Sequence, residues 1–170
     1  MESRRQFLTF AATALGLGPV VYWLSGPAVA NRTASTGVTR AFPVEKSDAE
    51  WRAALTAEQY YVLRGHGTER PGGNALNKEK RRGTFSCVGC GNPLFDSHTK
   101  YESGTGWPSF YRPLDHAVAT TVDSSFFMVR TEVHCVRCGG HLGHLFDDGP
   151  RPTGLRYCMN GAAMTFRPEA

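Results

Sequence analysis

VHCVRCGGHLGHLFDDGP, residues 133–150, decides how the rest of the chain is read. Cys135 and Cys138 are two residues apart and are followed at once by Gly139 and Gly140. The same device stands upstream as Cys87-Val-Gly-Cys90-Gly91, with 44 residues between the two pairs. Two residues between cysteines let both sulfurs face one centre from a tight turn, and the glycine permits the positive φ needed after the second ligand. Two such turns make a four-thiolate tetrahedron, the usual geometry of structural zinc. The long gap puts the turns on separate hairpins, so the metal would clamp two sheet regions and its binding would contribute to folding. Two disulfides, or a redox CxxC pair, are the alternatives. Two matched, glycine-followed copies favour metal over a single redox centre.

Around these turns the texture is that of strands. GTFSCV, PLFDS, AVATTVDSSFFMVRTEVHC, HLGHLFD and LRYCMNGAAMTF are β-branched or aromatic runs parted by Gly, Pro, Asp and Ser. The expectation is a mainly β, mostly antiparallel domain from Gly83 onward. TVDSSFFMV reads as one hairpin turning at Asp123-Ser124-Ser125. Upstream, Ser47 with Glu50 and Thr56 with Gln59 are two capping-box signatures, predicting two short helices, the second ending near Gly65. Residues 66–82 are polar and glycine-rich and read as a loop.

The first 30 of the 170 residues differ from the rest. Arg4 and Arg5 stand beside Ser3, an apolar run follows, and Ala28-Val29-Ala30 ends it. That is the layout of a cleaved export signal. SRRQFLT fits the twin-arginine version, which exports folded proteins. Gly16, Gly18 and Pro19 interrupt the run and weaken the rival reading, an uncleaved membrane anchor. The expected organisation is signal 1–30, linker 31–46 and a folded domain 47–170, in a periplasmic protein. Without the signal, the chain carries 17 basic and 14 acidic residues (19 − 2 and 15 − 1), a net +3 too mild for a nucleic-acid partner. A twin-arginine substrate folds in the reducing cytoplasm, where the metal can load before any oxidant meets the thiols.

The fifth cysteine stands apart, in LRYCMNG. Read as a strand, that run puts Arg156, Cys158 and Asn160 on one face. An arginine beside a thiol favours the nucleophilic thiolate, and Asn160 can donate to the thiolate or to a bound oxygen. His141 and His144 share a short glycine-rich segment and can reach a common site. With four cysteines already a complete ligand set, an acid–base role is favoured for at least one of them over metal binding or simple packing. Asp147 or Asp148 is the expected partner of the imidazole. Trp107, after the flexible Gly104-Thr105-Gly106, is either core or the wall of an apolar pocket.

GTERP, FSCVGCGNPLF, YESGTGWPSF, CVRCGGHLGHLFDDGP and LRYCMNGAAMTF together resemble the B-type methionine sulfoxide reductases, from about Leu55 to Phe166. The resemblance implies a fold of two small antiparallel sheets with short N-terminal helices, stapled by one Zn2+ on Cys87, Cys90, Cys135 and Cys138. It implies reduction of methionine-R-sulfoxide, free or in oxidised proteins. Cys158 would be the nucleophile and His144 the acid–base group. His141, Asp148, Arg156 and Asn160 would form the polar shell, and Trp107 would hold the substrate methyl. Thr105 and Gly161 depart from the family pattern. Many members carry a resolving cysteine at the position of Thr105, so the sulfenic acid here would be reduced directly by an outside thioredoxin-like dithiol or small thiol. The rivals are a non-catalytic zinc-stapled binding module, with Cys158 buried and inert, and a CxxC thiol–disulfide oxidoreductase.

Overall fold

The computed structural model describes residues 42–170. The expected export signal, its cleavage site and most of the linker lie outside the described residues. No helix among those described is long and apolar enough to cross a membrane. Residues 42–46, assigned above to the linker, lie against the domain. The Val44 amide donates to the Arg137 carbonyl at 2.7 Å, and Phe42 meets the His134 ring edge-on.

Two short helices open the domain, α1 (Asp48–Ala54) and α2 (Ala57–Leu63). Both capping boxes are formed: Ser47 and Glu50 bond reciprocally, as do Thr56 and Gln59. Each satisfies two backbone donors that a helix start leaves orphaned. Helices this short are not stable alone. Trp51, Val62 and Leu63 hold them by inserting into the core.

Nine strands follow, in two antiparallel sheets. The smaller contains β1 (Gly83–Cys87), β2 (Pro93–Asp96) and β9 (Met164–Pro168), in the order β2-β1-β9. The larger contains β3 (Lys100–Tyr101), β4 (Ser109–Phe110), β5 (Val118–Asp123), β6 (Arg130–Cys135), β7 (His141–Phe146) and β8 (Arg156–Met159), in the order β3-β4-β8-β7-β6-β5. The hairpin expected at Asp123-Ser124-Ser125 is present but its connection is longer. Asp123 pairs with Arg130, and residues 124–129 make the link, including a 3-10 turn.

The core lies where the sheets meet. Phe95 of the small sheet stacks on Phe110 of the large one with centroids 4.3 Å apart, and Phe85 meets Phe110 edge-on at 5.0 Å. All three are fully buried. Each such side chain contributes about 1.5–3 kcal/mol relative to exposure. Buried Leu94, Val133, Leu142 and Met159 fill the remaining space. β1 ends at Cys87 and β6 at Cys135, so each cysteine turn continues directly from a strand of a different sheet.

Candidate active site and metal centre

The four paired sulfurs converge. Cys87 and Cys138 Sγ are 3.7 Å apart, Cys90 and Cys135 Sγ are 3.6 Å apart, and all four lie within 4.8 Å of one another. Disulfide sulfurs would be about 2.05 Å apart. Four sulfurs at about 2.3 Å from a central ion would have tetrahedral edges of about 3.8 Å. The sulfurs therefore fit a metal site. Gly91 and Gly139 follow the second cysteine of each pair at φ 70 and φ 65, and their amides bond back to the Cys87 and Cys135 carbonyls. The Asn92 side chain donates to Cys135 Sγ and to the Ala117 carbonyl.

Cys158 is elsewhere, half-buried on β8. Its register partner across the sheet is His144 of β7. Strand β7 approaches closely there because residue 143 is glycine: a Cβ on it would sit 2.1 Å from the Cys158 carbonyl oxygen. Cys158, His144, Asn160 and Trp107 line one cleft of about 140 Å³, together with Thr68, Arg130 and Phe146. Cys158 thus belongs neither to the metal cluster nor to the sealed core.

Burial pushes the Cys158 thiol above its ordinary range. Arg156 and Thr105 pull it down, but less. Arg156 favours the thiolate, as the sequence reading expected, but burial outweighs it. Arg156 is held by Asp148 in a two-pronged pair, Nε to Oδ1 at 2.7 Å and Nη2 to Oδ2 at 2.8 Å, and stacks over Phe146. Its charge still favours the thiolate, but less than burial disfavours it.

The expected partner of the imidazole is corrected. Asp148 serves Arg156, and His144 Nε2 lies 2.8 Å from Asp123 Oδ2. An ionised carboxylate only accepts, so Nε2 carries the proton and Nδ1 the lone pair. Ser125, foremost, and His144 hold Asp123 well below the usual carboxylate range. Burial lowers His144 itself, and Asp123 opposes this only in part, so the resting imidazole is neutral. Arg130 Nη2 donates to the same Asp123 oxygen at 2.7 Å.

His141 is outside the cleft lining and buried, edge-on to His144 with rings 5.2 Å apart. Its Nδ1 is 2.7 Å from Glu132 Oε1. Asn160 lies just past the end of β8, and its amide is largely committed: Oδ1 accepts from the Glu69 amide and Nδ2 donates to the Leu142 carbonyl.

Glu69 was not anticipated. It is buried in the stretch read as a loop. Its two oxygens accept the Gly161 and Ala162 amides at 2.7 Å each, and its carbonyl accepts the Trp107 indole N–H at 3.1 Å. Burial raises its pKa, with the two amides opposing. One residue therefore ties Trp107, Asn160 and the turn after β8 together. Glu69 stands in the GTERP run, but composition alone reads that run as solvated.

The SelR domain family matches residues 55–168. The chain belongs to the SelR domain family. A protein of Leptospira interrogans named peptide methionine sulfoxide reductase MsrB is 56% identical over 75% of this chain and 98% of its own length. Proteins of the same name from Pseudomonas putida strain W619 (56% identical; 74% of this chain, 96% of theirs) and Methanosarcina barkeri (54%; 74% and 89%) are similarly close. The SelR match spans α2, the two sheets, the cysteine tetrahedron and the cleft.

Proposed function

We propose that this chain reduces methionine-R-sulfoxide to methionine, in keeping with the name of its relatives, peptide methionine sulfoxide reductase. The observation that carries the reading is the pairing of Cys158 with His144 across β8 and β7, at one small cleft walled by Trp107 and Phe146. The site is built neutral. His144 Nδ1 takes the Cys158 proton as the sulfur attacks the sulfoxide sulfur, and Asp123 stabilises the imidazolium that forms. His144 then returns that proton to the oxygen. The oxygen leaves the methionine sulfur for Cys158, giving methionine and Cys158 sulfenic acid. Trp107 and Phe146 offer the methyl group an apolar wall. Arg156 and Asn160 supply polar support around the sulfur, and Asp148 holds Arg156.

Thr105 Oγ1 is 4.0 Å from Cys158 Sγ, so a hydroxyl occupies the place beside the nucleophile. An outside dithiol or small thiol attacks the sulfenic acid, releases water, and a second thiol frees Cys158. The ion of the four-cysteine site is zinc: the chemistry of four thiolates suits it, and when bound it would cross-link the two sheets from outside the cleft lining. The protein is exported by the twin-arginine route and works in the periplasm, on oxidised proteins or free methionine sulfoxide.

The test is stereochemical. With dithiol present, the purified protein turns over methionine-R-sulfoxide and leaves the S epimer untouched, and Cys158→Ser is inactive. Equal turnover of both epimers, or an active serine variant, overturns the reading.

A further inference from the structure

Behind the cleft lies a second cluster of ligating side chains. His66 Nδ1 is 3.1 Å from Glu132 Oε1, and His141 Nδ1 is 2.7 Å from the same oxygen. The three ligand atoms lie within 4.8 Å of one another. Their environments differ in a useful way. The Glu132 and His141 side chains are nearly buried, at 12% and 2% exposure, whereas His66 is 63% exposed. Two ligands are therefore fixed by the sheet and the third closes over them from solvent. His66 adopts φ 54, in the left-handed region that non-glycine residues occupy uncommonly and histidine more readily than most. Its ring faces His141 at 5.3 Å.

We propose that His66, Glu132 and His141 form a second metal site, for a divalent transition-metal ion of the zinc class. Two imidazoles and one carboxylate are the ligand set of open, three-ligand zinc sites, with water or another small ligand in the fourth position. Burial pushes the Glu132 carboxyl up, but His141, His66 and His134 outweigh it, so the carboxylate is anionic and ready to ligate. In the resting arrangement His141 donates from Nδ1 to Glu132, and its buried Nε2 has no hydrogen-bond partner among the described residues. An ion in the niche takes the Nδ1 lone pair and shifts that proton to Nε2. The exchange gives up the Nδ1–Glu132 hydrogen bond for two metal–ligand bonds and leaves Nε2–H without an acceptor among the described residues. Charge also fits: a dication displaces any proton from the nitrogens it binds, and the one carboxylate supplies it a negative partner.

The site is separate from the four cysteines and differs from them in softness. Nitrogen and oxygen ligands accept zinc, nickel and cobalt alike in kind, though not in affinity, and the exposed His66 makes the site open to exchange. Its position gives it a consequence. His141 touches His144, and Glu132 is the register partner of His144 on β6. A dication held there places positive charge beside the imidazole that must become cationic during reduction. Occupancy therefore slows turnover. That consequence rests on the role proposed for His144; the binding itself does not.

The experiment uses the full zinc-loaded protein, reduced and freed of excess thiol. Cobalt(II) is titrated while the visible and near-ultraviolet spectra are followed. The expected result is one further equivalent bound, with weak visible bands and no thiolate-to-cobalt charge-transfer band. His66→Ala lowers the affinity by more than the roughly 10–100-fold usual for losing an outer-shell partner. Because His66 is exposed, this variant keeps the fold. Two results overturn the site: no extra equivalent at millimolar cobalt, or one whose affinity His66→Ala leaves unchanged. A thiolate band accompanying it would equally reject the assignment, placing the ion on cysteine. Single-turnover reduction of the sulfoxide, run without added thiol at saturating cobalt, should be slowed at least tenfold. Binding without slowing keeps the site and rejects its link to His144. Normal reduction without binding rejects the site and leaves the function intact.

Discussion

Asp123→Asn is the sharpest probe of the proton path. In the native site, Asp123 Oδ2 accepts from His144 Nε2 at 2.8 Å and from Arg130 at 2.7 Å, while Oδ1 accepts from the Ser125 amide at 2.9 Å. Asparagine keeps the shape and one accepting oxygen, so the backbone bond at Ser125 can survive. What it removes is the charge opposite the imidazolium and the acceptor at Oδ2, where an amide NH2 now faces the His144 and Arg130 donors. Hydrogen bonds to charged groups contribute about 1.5–3 kcal/mol. At about 1.36 kcal/mol per tenfold, the chemical step should slow by roughly 10- to 10²-fold. Arg130 adds to the effect, since it stays cationic near His144 once its counter-ion is gone. The assay is a single turnover with enzyme in excess over methionine-R-sulfoxide, quenched and analysed for methionine. Saturation with enzyme separates binding from chemistry, and the loss should fall on the limiting rate rather than on the half-saturating concentration. A thermal melt close to that of the native protein excludes a folding artefact. An Asp123→Asn rate within about twofold of native, outside the span that charge loss implies, would refute the claim that Asp123 supports the proton carrier.

Glu69→Gln should destabilise the fold by about 1–3 kcal/mol in urea titration, because one of the buried Gly161 and Ala162 amides then faces a donor instead of an acceptor. It should also weaken substrate binding through Trp107, and unchanged stability and KM together would rule out the bridging role. Thr105→Cys should place a second thiol beside Cys158 and trap an intramolecular disulfide after one turnover. The native protein should form none, and a Cys158 disulfide in the native chain would show a resolving thiol that this reading denies. The pH dependence follows from burial of Cys158. Its folded pKa is raised, so the proton is held more tightly in the folded state. Alkylation by iodoacetamide should rise with pH and not level off until above the ordinary thiol value of about 8.5. By linkage, the stability contributed by the neutral thiol is present below the unfolded pKa and is lost as pH rises through the folded one. Levelling off already near pH 7 would mean a resting thiolate, which burial of Cys158 disfavours.

Legibility in the sequence followed the range of each interaction. Both capping boxes were readable because Ser47 with Glu50, and Thr56 with Gln59, meet within one helical turn. The metal turns were readable because each cysteine pair and its glycine form a self-contained loop. The shared face of Arg156 and Cys158 followed from strand alternation, but the burial that outweighs Arg156 at the sulfur did not, since it is set by the elements packed around β8. Two acids in LFDDGP stand close to His144 in the sequence, and neither orients it. On β7 and β8 the chain leads those acids away into the hairpin connection, while the β5–β6 hairpin returns Asp123, 21 residues upstream, to His144. Glu69 and Gly161 are 92 residues apart, and only the folded chain makes a polar loop residue into a buried acceptor. His66 belongs to the same class. Its glycine neighbours advertise a loop, and nothing local says that the loop ends over Glu132 and His141. Composition classifies a residue by the company it keeps along the chain. Charge, tautomer and proton path are set by neighbours across strands, and for Cys158 and His144 those neighbours reverse the simple expectation. The thiol and the imidazole both rest neutral, and the reaction itself must create the ion pair.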